Sequence, residues 1–168
     1  MAVSRGSGTD RRRPRASHAL AVLASVAVVA AVRGSTMATL VGLVGAGAVL
    51  AGLVRRSEPS VVAGGAALFA ATVLAATGPA SAERVLLGGF GAVIAADLGT
   101  FGLGIDRDAD PAVATTRVEL LHAVGSGVVA VLTAGVGYAL FETVPSGGSL
   151  GVVALLLGGV VLAWLLRE

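Results

Sequence analysis

Charge is confined to short segments of this chain. Its twelve basic residues, all arginine, and its ten acidic ones fall in clusters. Between them lie apolar runs close to the roughly 20 residues needed to cross a hydrocarbon layer. Hydrophobic residues make up 55% of the chain and charged residues only 13%, against about a quarter charged in ordinary soluble domains. A 168-residue soluble globule could not hide that much apolar surface. The expected fold is all-α: a polytopic membrane helical bundle of six transmembrane helices with short loops. Cysteine is absent, which excludes disulfides and thiolate metal sites.

The segmentation follows the charges and turn residues. Residues 1–15 read as a disordered basic cytoplasmic arm carrying Arg5, Arg11, Arg12, Arg13 and Arg15, and residues 16–168 as a single membrane domain. Its spans are expected at about 16–32, 34–54, 61–77, 85–103, 115–141 and 150–166. A basic arm before a short apolar run also describes a signal peptide, but the chain re-enters an apolar run soon after Arg33, so the first span is read as retained. Residues 104–110 read as the longest interior loop. Asp110 is expected to cap the fifth helix, with Pro111 at its first position, because that side chain accepts free amides and proline lacks one. All five prolines, at positions 14, 59, 79, 111 and 145, fall outside the spans or at their ends, as real turns require.

An even number of spans puts both termini on one side. With the N-terminus inside, ten arginines (5, 11, 12, 13, 15, 55, 56, 107, 117 and 167) are inner and two (33 and 84) are outer. This positive-inside bias places both termini in the cytoplasm of a cell membrane. The basic arm then faces an anionic inner leaflet, not nucleic acid. Loops this short leave no room for an extramembrane catalytic domain. Any function lies between the helices or in a partner.

The most informative stretch is 115–137. At about 100° per residue, Thr115, Glu119, His122, Ser126, Thr133 and Gly137 fall within one stripe about 60° wide. The remaining faces are Val, Ala and Leu. Such a stripe is the seam of a packed helix, turned toward neighbouring helices. Small residues four apart (Gly42 with Ala46, Ala48 with Gly52, and Gly91, Ala95 and Gly99) allow backbones to approach closely in lipid.

Three polar sets are candidates for chemistry. Asp106, Asp108 and Asp110 have the alternate spacing that begins a calcium loop, but Pro111 stands where that loop needs glycine and Arg117 where it needs a bidentate glutamate. They read as a solvated acidic loop. Glu119 and His122 have the Glu-x-x-His spacing of di-metal helical bundles, but those need a second such motif and two further glutamates. No metal or cofactor is therefore expected. Asp97 lies inside an uncharged run, where it costs roughly 2.5–3.5 kcal/mol and must face protein or water. Counted along antiparallel neighbours, Asp97 and His122 sit at matching depth, each about 7.5–9 Å from the inner end of its span. Asp97 also lies roughly opposite the Gly91, Ala95 and Gly99 face. It is expected to accept a hydrogen bond from His122, within a polar intramembrane cluster of Asp97, Glu119, His122 and Ser126.

The run Ala96-Asp97-Leu98-Gly99, the acidic loop, and Thr116-Arg117-Val118-Glu119-Leu120-Leu121-His122-Ala123 resemble an uncharacterised family of small haloarchaeal six-helix membrane proteins. Genes of that family tend to lie beside those for MoxR-type ATPases and their membrane-bound partners. Arginine without lysine, with much Ala, Val and Gly, suits a high-GC archaeal source. The resemblance implies a membrane location and hints at a MoxR-type ATPase system as partner. It carries no activity. The chain therefore reads as a non-enzymatic component or scaffold of a membrane-associated assembly. Its rival is a small transporter or proton- or ion-conducting protein using Asp97, Glu119 and His122; a membrane metalloenzyme is more distant.

Overall fold

A computed structural model describes residues 15–108 and 115–143. They form five α-helices: α1 (Arg15–Ala31), α2 (Thr36–Arg55), α3 (Glu58–Ala76), α4 (Ala82–Asp108) and α5 (Thr116–Thr143). Four of them, α2 to α5, are long and apolar enough to cross a membrane, and α1 is a shorter apolar helix. The fold class is all-helical, as the sequence predicts. The expected sixth span at 150–166, the arm before Arg15 and the turn around Pro145 lie outside the described residues. Two compact units divide the chain, Met1–Gly127 and Val128–Glu168. The first holds α1 to α4 and the opening turns of α5; in the second, the described residues are the rest of that helix.

Within the first unit, α2 packs on α3, α3 on α4, α4 on α1 and α1 on α2, with weaker diagonals. The result is a closed ring of four helices. Short connections make successive helices antiparallel. Ser35 opens α2 with its side chain accepting from the Ala38 amide at 3.4 Å. At the other end Arg56 takes the left-handed conformation (φ 55°, ψ 39°), and the Ser57 amide closes on the Gly52 carbonyl at 2.8 Å. That closure satisfies a terminal carbonyl and turns the chain directly into α3.

Two helix ends differ from their sequence expectations. Residues 104–108 continue α4 instead of forming a loop, so the helix reaches 27 residues, or about 40 Å. That is longer than a hydrocarbon layer of about 30 Å. Ion pairs hold its last turn: Asp106 meets Arg56 at 3.4 Å and Arg107 meets Glu58 at 3.3 Å. Both contacts reach the α2–α3 corner. Asp106 and Asp108 therefore sit on helix, not on the loop backbone a calcium site would need. The fifth helix begins at Thr116, not at Pro111, because Thr115 is non-helical. The expected cap, Asp110, and the expected first position, Pro111, lie outside the described residues.

The core is built from small residues. Ala21, Val28, Val49, Val61, Leu68 and Ala95 are fully buried, and backbones meet where glycines face each other. A Cβ on Gly45 would lie 2.9 Å from the Gly64 carbonyl oxygen, and one on Gly64 would lie 2.6 Å from the Val49 amide nitrogen. Sequence spacing picks out Gly42 and Gly52, both buried on this α2 face, but not Gly45 or Gly64. The Gly91, Ala95 and Gly99 face of α4 is packed as expected. Its glycines sit against Val28 of α1 and Val61 of α3, each 2.7 Å from where a Cβ would stand.

These contacts give a paired test. Gly64→Ala forces α2 and α3 apart and should cost about 1–3 kcal/mol, the usual range for overpacking a tight interface. Gly47→Ala meets open space and should be neutral or stabilising by up to about 1 kcal/mol. Unfolding in mild detergent measures both; equal effects would show that α2 and α3 do not pack glycine to backbone.

Candidate functional site

Two groups of polar residues, each centred on a carboxylate, join α5 to α1 and α4. Asp97, on α4, is aimed away from the ring because the Gly91, Ala95 and Gly99 side of its helix is taken up by α1 and α3. His122 Nε2 hydrogen-bonds Asp97 Oδ2 at 3.0 Å, and Ser126 Oγ donates to the same oxygen at 2.6 Å. His122 and Ser126 are four residues apart on α5, and that spacing brings both donors to one point. The imidazole also stacks on Phe101, with ring centroids 3.7 Å apart and planes 9° from parallel. Phe101 is one turn beyond Asp97, so α4 supplies both the acceptor and the flat surface that orients the donor. Thr100 is turned back on its own helix, donating to the Ala96 and Asp97 carbonyls at 2.9 and 3.0 Å.

The second carboxylate faces a different helix. Glu119 is 2% exposed. Its Oε2 accepts from the Ser17 amide at 2.9 Å and from Ser17 Oγ at 3.0 Å, and its Oε1 accepts from Thr115 Oγ1 at 2.7 Å. Ser17 lies in the first turn of α1, where backbone amides have no partner inside the helix. Glu119 therefore caps α1 from another helix, and its negative charge lies at the favourable end of the α1 dipole. Close by, the His18 ring lies against Gly102 of α4, where a Cβ would come within 2.8 Å of Cδ2.

Of the four residues singled out in the sequence, Asp97, His122 and Ser126 come together, and Glu119 does not join them. The Glu-x-x-His pair shares a face of α5, but its members turn to different helices: Glu119 to α1, His122 to α4. Among the described residues, no three His, Asp or Glu side chains converge as a metal site would need. Ser17 and Phe101 are the partners the sequence does not reveal. A serine beginning an apolar run carries no sign of a partner 102 residues away, and Phe101 passes for an ordinary lipid-facing aromatic. Further along the stripe, Thr133 belongs to the second unit and donates to the Val129 carbonyl at 2.8 Å. Chemically, the arrangement supplies fixed acceptors for fixed donors, which locks helix register, together with one carboxylate–imidazole pair through which a proton could pass.

Coupling between the members of that pair is measurable. A membrane hydrogen bond averages only about 0.6 kcal/mol, whereas a buried carboxylate left short of donors costs about 1–3 kcal/mol or more. His122→Leu should therefore destabilise the bundle more than the double change with Asp97→Leu does. Strictly additive losses in that cycle would show that the contact carries no energy.

No curated protein and no solved structure matches the chain. One family match covers residues 11–163, and with them every described helix. The protein is a member of that family, DUF7519, a family of unknown function.

Proposed function

We propose that the protein is a non-enzymatic membrane component, a scaffold within a membrane-associated assembly, lying in the cell membrane with both termini cytoplasmic. One observation supports this reading above others: the two carboxylates that join α5 to its neighbours are already engaged by donors of the same chain. Glu119 accepts three hydrogen bonds and Asp97 two. Groups held in this way hold helices in place. A substrate would have to compete with all of those donors. The orientation is supported by Arg55, Arg56 and Arg107, which belong to the end of the ring where the Arg56–Asp106 and Arg107–Glu58 pairs lie, suited to an anionic inner leaflet. A reporter inserted at Ser81 should then be active outside. The partner in this reading is a MoxR-type ATPase system in a haloarchaeal cell, as the resemblance in the 96–123 region implies.

A second reading, a small proton- or ion-conducting protein, draws on a separate fact. The side chains of Asp97 and His122 keep 18% and 32% of their surface accessible, so the pair lies at the edge of the bundle and not in its centre. Purification in mild detergent separates the two. A stable stoichiometric partner is the expected result. Proton or cation flux in liposomes holding the protein alone, abolished by Asp97→Asn, would replace the scaffold reading with the conducting one.

A further inference from the structure

Residues 116–127 of α5 are attached to their unit unlike any other described helix. The buried members of the central apolar cluster all lie between Ala21 and Leu103, and α5 adds only the partly buried Ala123. Around that alanine, Val118, Leu120, Leu121 and Val124 are 50–64% exposed. Beside Ala123 and the His122 ring stacked on Phe101 at 3.7 Å, what crosses from α5 to its neighbours is polar. Ser17 gives two hydrogen bonds to Glu119, and His122 and Ser126 give one each to Asp97. All four end on two carboxylates. Lipid tails are as apolar as the exposed leucines and valines, so moving this stretch from protein into lipid costs little apolar energy. The four ring helices are held differently, by glycines packed against backbone between α2 and α3 and, on α4, against side chains such as Val28 and Val61.

We propose that the opening turns of α5 form a detachable strap, latched to α1 by Glu119 and to α4 by Asp97, over a four-helix ring that keeps its fold when the latch opens. The strap lies within the first unit and does not depend on whether the protein is a scaffold or a conductor. A partner helix offering its own hydroxyl or amide donors in the membrane is the kind of group that would open it.

The natural absence of cysteine makes the test clean. Spin labels on Leu43→Cys and Leu121→Cys, at positions 53% and 64% exposed, report the distance between α2 and the strap. Labels on Leu43→Cys and Leu87→Cys report the ring alone, the latter position being 59% exposed. In lipid nanodiscs, pulsed electron spin resonance should give one narrow distance for each pair. Combining Asp97→Leu with Glu119→Leu should broaden the 43–121 distribution and lengthen it by about one helix diameter, roughly 10 Å, while 43–87 stays as it was. An unchanged 43–121 distance would mean that packing, not the carboxylates, holds the strap. Broadening of both pairs would mean that the carboxylates hold the whole ring. Either result overturns the latch.

Discussion

Keeping a carboxylate inside a hydrocarbon layer is the constraint from which the arrangement around α5 follows. A lone charged group there costs several kcal/mol unless it finds donors or neutralises, and this chain places two of them near one end of its bundle. Each is met by donors from another helix. Asp97 draws α5 against α4 through His122 and Ser126, and Glu119 draws α5 against the first turn of α1 through Ser17. The pairs fix the rotation of α5 as well as its depth, because Glu119, His122 and Ser126 share one face of the helix. Turning α5 by half a turn would leave every one of these groups facing lipid.

The four-helix ring solves a different problem. With hydrophobic burial giving little preference among apolar neighbours in lipid, α1 to α4 are held by shape. Gly45 meets the backbone of α3, Gly64 that of α2, and Gly91 and Gly99 make room for Val28 and Val61. Where the helices leave the apolar layer, charge takes over. The Arg56–Asp106 and Arg107–Glu58 pairs join the α2–α3 corner to the end of α4. Exposed pairs of this kind add little stability individually.

Much of this was legible in the sequence because membrane helices announce themselves. Uncharged runs give the five described helices, and the depth and phase of Asp97 and His122 along antiparallel spans bring them within hydrogen-bond reach. What stayed hidden depends on contacts between distant residues. Nothing local tells Glu119 to turn to Ser17 instead of joining His122, since both choices suit the same stripe. Residues 104–108 read as a loop because glycine and acidic residues usually mark one; their ion-pair partners, Arg56 and Glu58, lie about 50 residues earlier. Gly45 and Gly64 were missed for a similar reason. Spacing along one helix identifies a small-residue face, but the choice of opposing glycine belongs to the partner helix.

The account stands on donors from α5 reaching the Asp97 carboxylate within the bilayer. The most direct measurement is the dipolar coupling between labelled Asp97 Cγ and His122 Nε2 by solid-state magnetic resonance in lipid. With only two histidines in the chain, the imidazole signals can be assigned. A hydrogen-bonded pair requires a carbon–nitrogen separation of about 3.5–4 Å, and that is the expected result. A separation beyond about 6 Å, outside any hydrogen bond, would contradict the account: Asp97 would have to find its donors elsewhere, and α5 would be held by something other than polar contacts.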